Sequence, residues 1–168
     1  MTFLLGPATV ALALPLYLNR HVLRESFLPI VIGIVCGAVS TLTTAVVLAK
    51  MNGLDTLIVT SIAPKSITAP IAIEIALITG GDPAIAVAFV VFTGTLGSMI
   101  GAGFLSLCKI NNPVARGLAM GVTAHGQGTA TILQEGQTQG AMAGVAMALA
   151  AIFISFIAPF YIPWLLTI

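Results

Sequence analysis

The sequence alternates long apolar runs with short polar turns, as expected for an α-helical membrane protein. A helix needs about 20 apolar residues to cross the hydrocarbon core of a bilayer. A shorter apolar run at Phe3–Leu18 is too rich in proline for a regular helix. We expect the last span to kink or end near Pro159 and Pro163. The predicted spans are Phe27–Ala49, Ala84–Leu107 and Ala141 to the C-terminus.

Two other apolar stretches are interrupted by polar residues. The first break is SIAPKSITAPIAIE, Ser61–Glu74, and the second is VTAHGQGTATILQEG, Val122–Gly136. About ten residues flank Lys65 on each side, and ten helical residues rise about 15 Å, half of a hydrocarbon core. Lys65 is therefore predicted near the bilayer midplane. Because a charge is costly there, such a residue indicates a functional site.

The layout of the first break is repeated about sixty residues later, which places Lys65 over His125 and Gly80 over Gly140. Each repeat has an apolar half-segment, a polar break with one basic group, a second half-segment, a glycine turn and a full span. We place the repeats at about residues 55–108 and 115–168. Transporters often use such repeats and bind substrate at broken helices near the midplane.

The charges indicate how the broken segments meet the membrane. If each segment crosses, the basic residues are divided between the two sides. If each is a re-entrant hairpin, four basic residues share one side of the membrane. The positive-inside rule assigns that side to the cytoplasm. In this arrangement the two repeats are also inverted relative to one another. We therefore favour re-entrant hairpins over crossing segments. The shared side carries Arg20, Arg24, Lys109 and Arg116, opposed by Lys50, Asp55 and Asp82.

Composition supports this architecture: 58% of the 168 residues are hydrophobic, 7% are charged, and mean hydropathy is +1.13. Soluble domains carry about 25% charged residues. The fold class is therefore an all-α polytopic membrane protein, a single transmembrane domain over residues 1–168. A net charge of +1 without a basic patch gives no reason to expect a nucleic-acid partner. Cys36 and Cys108 lie in apolar segments without CxxC spacing, so we expect buried thiols and no metal site.

The breaks free backbone groups for binding. Pro64 and Pro70 interrupt the helix, and glycines in the second break permit close backbone approach. Unpaired backbone at this depth is tolerated only where protein buries it or a cavity holds water. Half-helices starting near Ile67 and Thr129 would direct their positive N-termini to the midplane, where anions bind.

A small anion such as a carboxylate, together with a proton, suits these groups. Lys65 is the expected main contact, and His125 a second contact or a proton-coupling group. Glu74 and Glu135 are further proton-coupling candidates. Alternatively, Lys65 forms a structural ion pair with Glu74 or Glu135, and His125 is a satisfied core donor. No enzyme signature or cofactor motif is present. The hydrogen-bonding residues assigned to the substrate site are Ser66, Thr68, Gln127 and Thr129.

Two long motifs resemble the LrgB/CidB family of bacterial membrane proteins. They are SIAPKSITAPIAIEIA and PVARGLAMGVTAHGQGTATILQEG, followed by a Gly/Ala-rich span that closes on APF. The resemblance extends from about Gly6 to the C-terminus. Members usually carry further apolar segments before the stretch that matches Gly6–Tyr17, which implies a shortened member or helices supplied by other subunits. Where relatives often have a small apolar residue and an arginine, this chain has Gln127 and Thr131, which implies altered specificity or affinity.

The resemblance implies a protein of the bacterial cytoplasmic (inner) membrane and two alternative functions. One is an antiholin-like protein that acts with a holin-like LrgA/CidA partner to modulate murein hydrolase activity and lysis. The other is transport of small carboxylates, since LrgA/LrgB pairs are linked to pyruvate uptake and a plastid relative to glycolate and glycerate exchange. The paired basic residues at the breaks favour a monocarboxylate transporter subunit. Expected partners are a small carboxylate, an LrgA/CidA-type protein and further copies of the chain.

Overall fold

The computed structural model describes residue 17 and residues 20–167, without the side chain of residue 22. That part of the chain is helical and contains no strand. Apart from Tyr17, the apolar run at Phe3–Leu18 lies outside it. The helices are α1 (Arg20–Glu25), α2 (Phe27–Met51), α3 (Thr56–Ile62), α4 (Ala69–Thr79), α5 (Pro83–Leu107), α6 (Pro113–Leu133) and α7 (Gln137–Thr167).

Three helices are long and apolar enough to cross a membrane, namely α2, α5 and α7. They have 25, 25 and 31 residues. At a rise of about 1.5 Å per residue, each helix is longer than the hydrocarbon core, which is about 30 Å thick. These are the three spans predicted from the sequence. Of the kink or end expected near Pro159 and Pro163, the structure excludes an end, because α7 continues through both prolines to Thr167.

The polar turns start the helices that follow them. The side chain of Asp82 accepts hydrogen bonds from the amides of Ala84 and Ile85 at 2.8 and 3.0 Å, which caps α5. Asn112 accepts from the amide of Ala115 and starts α6 in the same way. Asp55 occupies the N-cap of α3, but its side chain makes no capping bond.

The core lies between α2, α6 and α7. Buried residues recur every three or four positions along α2, and along α7 from Ala146 onward, which places them on one face of each helix. On α2 they are Ile30, Ile34, Ala38, Leu42, Ala45, Val46 and Ala49. On α7, glycine and alanine dominate the buried face near α6, where a methyl group at Gly121 would collide with the backbone of Ala143. Small residues therefore let α6 and α7 pack backbone to backbone.

Three of the four glycines in α5 lie against α6. A methyl group at Gly94, Gly97 or Gly101 would collide with α6, whereas one at Gly103 would meet nothing within 4 Å. The pairs Gly97–Ala124 and Gly101–Met120 make α5 antiparallel to the first half of α6.

Both broken segments turn back on themselves. Arg116 and Glu135 form a two-pronged ion pair, with Arg116 Nε donating to Glu135 Oε2 at 2.7 Å. Nineteen residues of straight helix would separate them by about 28 Å, so α6 reverses, and its non-helical residue is His125. In the first break, Ser61 Oγ accepts a 2.7 Å hydrogen bond from the amide of Asp82, 21 residues away. The chain therefore leaves and returns to the same end of the bundle in each case.

The charged residues are gathered at opposite ends of the helices. Gly33 faces Leu118 and Gly37 faces Val122, so α2 runs parallel to the first half of α6. The basic residues of α1, of the turn before α6 and of the first turn of α6 therefore share one end; they are Arg20, Arg24, Lys109 and Arg116. At the other end, Lys50 Nζ donates to the carbonyls of Leu165 and Leu166, near the C-terminus of α7, at 3.3 and 3.0 Å. A positive charge at this position interacts favourably with the negative end of the helix dipole.

The two cysteines differ from expectation. Cys36 and Cys108 are both exposed and free, so the prediction of buried thiols is wrong. Each lies on the outward face of an apolar helix or at its end. Contact with lipid is as favourable for an apolar side chain as contact with a protein core. Apolar sequence alone does not separate these two environments.

Candidate functional site

Lys65 lies in the turn that joins α3 to α4. Its backbone amide donates to the Ile62 carbonyl at 3.0 Å, which closes the turn just before the helix resumes at Ala69. The side chain is half-buried, and its Nζ donates to Ser66 Oγ at 3.1 Å. Since an ammonium group has three donors, this one bond leaves capacity for a ligand.

No carboxylate side chain neutralises Lys65 within the described part of the chain. That part includes all five acidic side chains of the sequence. Its ion pairs are His21–Glu25 and Arg116–Glu135, and neither involves Lys65. The alternative of an ion pair between Lys65 and Glu74 or Glu135 is therefore not what the structure contains. A half-buried cation with no acidic neighbour favours binding of an anion.

A cleft of about 530 Å³ opens beside Lys65, between α2 and α5. Its walls are mostly apolar, and Lys65 is its one charged residue in the described part of the chain. Three threonines and an asparagine add polar groups. The lining residues are Thr41, Ala45, Leu48, Ala49, Asn52, Leu54, Ile62, Lys65, Phe89, Phe92, Thr93, Leu96, Gly97 and Thr123. An apolar cleft with a few convergent polar groups is typical of small-molecule sites.

His125 forms the tip of the second hairpin. Its backbone has φ 39° and ψ −128°, a conformation that L-residues rarely adopt and that stores strain at functional sites. The side chain is buried, with Nε2 3.0 Å from the Val90 carbonyl oxygen. Because a carbonyl only accepts, Nε2 carries the proton and Nδ1 is left to accept in the neutral ring. His125 is thus a satisfied core donor with one nitrogen still available.

Both breaks face the middle of α5. Val90 and Gly94, which contact the imidazole, lie within five residues of the central residue of that helix. Lys65 borders the same stretch of α5 through the cleft. The two basic residues that the repeat placed in register therefore lie beside the same part of α5.

The other predicted substrate contacts are divided among different roles. Ser66 is buried and holds the Lys65 ammonium, and Thr68 is the half-buried N-cap residue of α4. Thr129 donates to the His125 carbonyl at 2.8 Å, so its hydroxyl supports the hairpin tip. Gln127 is exposed and accepts from Thr95 Oγ1 at 3.2 Å. It does not line the Lys65 cleft.

The two glutamates lie away from Lys65. Glu74 is exposed on α4, on the same face as the outward-facing Leu77 and Ile78. Glu135 lies between α6 and α7, outside the three candidate spans, and is bound to Arg116. Hydrogen bonds from that guanidinium lower the pKa of Glu135 below its ordinary value. A carboxylate held ionised in this way suits a structural pair better than a proton carrier.

The Arg116–Glu135 pair should stabilise the second hairpin, because the buried guanidinium also donates to the carbonyls of Ile110 and Ala102. We expect Glu135→Gln to lower stability by about 1.5–3 kcal/mol, the value of a hydrogen bond to a charged group. Glu25→Gln is the control, since the His21–Glu25 side chains are 82% and 67% exposed, and it should change little. Thermal unfolding in detergent measures both.

The same pair predicts the pH dependence of stability. A carboxylate whose folded-state pKa is lowered stabilises the fold above its unfolded pKa of about 4.5, and this contribution is lost as pH falls below that value. The difference in melting temperature between wild type and Glu135→Gln should therefore be present at pH 7 and shrink below pH 4.5. A difference that grows on acidification would contradict the assignment.

Sequence reasoning missed three features of the site. The Val90 carbonyl holds His125, and a backbone acceptor leaves no mark in the sequence. The cleft wall from α2, including Thr41 and Asn52, comes from a span with no polar break. Gly94 makes room for His125, and this role depends on contacts between segments that are distant in the sequence.

The family relationship follows from comparison with known proteins. Residues 1–164 match the model of the LrgB-like family. One relative is the uncharacterized protein YxaC of Bacillus subtilis (strain 168), which is 38% identical over 162 residues; the match covers 96% of this chain and 70% of YxaC. Another is the uncharacterized protein YwbG of the same strain, which is 35% identical over 165 residues; the match covers 98% of this chain and 73% of YwbG. The antiholin-like protein LrgB of Bacillus mycoides (strain KBAB4) is 33% identical over 165 residues, covering 98% and 72%. No solved structure gives a significant match. A match that covers nearly all of the chain, with several relatives above 30% identity, shows that this protein belongs to the LrgB-like family.

Proposed function

We propose that this protein is a subunit of a transporter for small monocarboxylates, of the size of pyruvate or glycolate, in the bacterial inner membrane. The observation that supports the proposal most strongly is the environment of Lys65. This residue is a half-buried lysine in the turn between α3 and α4, it has no acidic neighbour among the described residues, and it borders an open cleft of about 530 Å³.

The charge balance at the breaks favours an anionic substrate. A lone ammonium in a low-dielectric interior is unfavourable, and an anion offsets that cost. Helix α4 and the second half of α6 both begin at the breaks, so their N-termini add partial positive charge near Lys65. His125 adds a second basic group and becomes cationic when it takes up a proton. A small anion with a single negative charge fits this arrangement.

The two breaks are proposed to be re-entrant hairpins that enter the membrane from opposite sides. Several contacts support this topology. Arg116 meets Glu135 and Ser61 meets Asp82, so each segment returns to the end it left. The two meetings lie at opposite ends of α5. Inverted repeats with their tips at the midplane follow from this arrangement, and the four clustered basic residues make the Arg116 end cytoplasmic.

The proposed roles follow from the contacts. Lys65 holds the carboxylate, and Ser66 and Thr68 donate hydrogen bonds to it. His125 binds or delivers a proton through Nδ1, since Nε2 is held by Val90. Thr129 fixes the tip that carries His125. Glu74 is the remaining proton-carrier candidate, because its carboxylate is exposed and has no described partner.

The test is uptake of labelled pyruvate, glycolate and lactate into proteoliposomes, with and without an LrgA-type partner and with and without a pH gradient. Saturable uptake is expected for at least one of the three acids, and His125→Ala should remove its dependence on the pH gradient. Absence of uptake under every pairing and gradient would refute the proposal.

A second candidate function is regulation of cell lysis, because relatives at 33% identity bear the name antiholin-like protein LrgB. This function requires contact with a partner and does not require an anion site. Under it, Lys65→Met leaves partner binding and lysis timing unchanged. Under the transport proposal, the same change abolishes uptake. Measuring both in one strain separates the two functions.

A further inference from the structure

A polar side chain is exposed at mid-height on the outside of the bundle. The exposed Gln127 accepts a hydrogen bond from the exposed Thr95, the central residue of α5. The amide nitrogen of Gln127 has two N–H donors, and neither has an acceptor in the described part of the chain. At this depth lipid supplies no acceptor, so an unpaired amide is unfavourable. Something other than lipid therefore covers Gln127.

The substrate does not cover it. Neither Gln127 nor Thr95 borders the Lys65 cleft, which lies against other residues of α5. The surface around Gln127 is also extensive, because α5 is the least buried of the three spans. Only 17% of its most apolar stretch is buried, against 33% for α2 and 44% for α7. A large exposed apolar surface around a polar group suits a protein as the occupant.

The exposed surface continues from Gln127 along both helices. We call it the Gln127 face, and it consists of Thr95, Met99 and Gly103 from α5 with Gln127, Ala130 and Gln134 from α6. Its spacing of three or four residues keeps these positions on one side of each helix. A methyl group at Gly103 would meet nothing within 4 Å, so there is room for a neighbouring helix to approach closely.

We propose that two copies of this chain pack through the Gln127 face about a two-fold axis, with the two Gln127 amides hydrogen-bonded to each other near mid-height. A two-fold axis brings the same residue from each copy together, so residues near it must be self-complementary. A primary amide has both donors and an acceptor and meets this condition. The exposed Glu74 on α4 does not, because two carboxylates repel one another. The proposal does not depend on what is transported.

Disulfide cross-linking in native membranes tests the interface. The background carries Cys36→Ala and Cys108→Ala, both at exposed positions. Oxidation with copper-phenanthroline should convert Gln127→Cys, and to a lesser extent Ala130→Cys, into a covalent dimer, since bridged Cα atoms lie within about 7 Å. The depth-matched control is Ile152→Cys, at the middle of α7 and 55% exposed, which should remain monomeric. If Gln127→Cys is poorly expressed, Ala130→Cys decides the result.

Three outcomes would overturn the proposal. One is no covalent dimer from either position on the face in folded protein. Another is equal cross-linking of Ile152→Cys, which would indicate random collision. The third is rapid modification of Gln127→Cys by a membrane-impermeant maleimide in intact vesicles, because that would show that water covers Gln127. None of these readouts requires uptake, so failure of the transport proposal leaves this test intact.

Discussion

Replacement of Lys65 by methionine is expected to abolish saturable monocarboxylate uptake. Methionine has similar length and keeps the apolar stem in place, so the change removes mainly the charge. A charge-assisted hydrogen bond contributes about 1.5–3 kcal/mol, which corresponds to roughly 10–150-fold in affinity. No other charged residue in the described lining of the cleft can take over the role of Lys65. We expect a KM increase of at least tenfold, so that uptake no longer saturates at the substrate concentrations that saturate the wild type.

Lys109→Met is the matched control, because it removes one positive charge from an exposed position beyond the end of α5. It should leave KM within about twofold of wild type, as expected for a screened surface charge. Lys65→Arg keeps the charge and should retain part of the activity. Wild-type KM for Lys65→Met in folded protein would show that the anion binds elsewhere.

The second large effect is expected for Gly94→Ala. An added methyl group would approach Gln127 Oε1 to 2.5 Å and His125 Cε1 to 2.6 Å. The imidazole would then have to leave the Val90 carbonyl or α5 would have to move away from α6. Overpacking of this kind costs about 1–3 kcal/mol. We expect a lower melting temperature in detergent and an uptake rate reduced at least tenfold, because this contact holds His125 at the tip of the second break.

Gly144→Ala in α7 is the control, because Gly144 lies outside the Gln127 face. Its methyl group meets nothing within 4 Å, and alanine favours a helix over glycine by about 0.5–1 kcal/mol. The two substitutions should therefore shift the melting temperature in opposite directions. Equal effects of Gly94→Ala and Gly144→Ala would show that His125 does not rely on the close approach of α5.

The sequence indicated the spans because each is a long apolar run ended by turn residues. Asp82 and Pro83 begin α5 as their chemistry predicts, since the aspartate caps two amides and proline fits the first helical position. The prolines of the last span were less informative. Helix α7 continues through Pro159 and Pro163, because neighbouring packing can outweigh local propensity.

The sequence by itself also determined which residues are chemically unusual. Lys65 and His125 are ionisable residues within apolar segments. They can be recognised without coordinates, because a charged side chain in the hydrocarbon region is energetically costly and therefore rare. The family relationship follows from the same motifs. Exposure to lipid was not visible, since lipid and protein core favour the same side chains, and the exposed Cys36 shows the consequence.

Only the tertiary structure decided the partners of these groups. Glu135 is bound to Arg116 and Lys65 has no acidic neighbour in the described part of the chain, although both glutamates were candidates for Lys65. The Val90 carbonyl selects the His125 tautomer from 35 residues away. Such pairings depend on how separate helices pack, through close approaches such as Gly94 against His125. Local sequence specifies each helix, but the contacts between helices arise only when the whole bundle assembles.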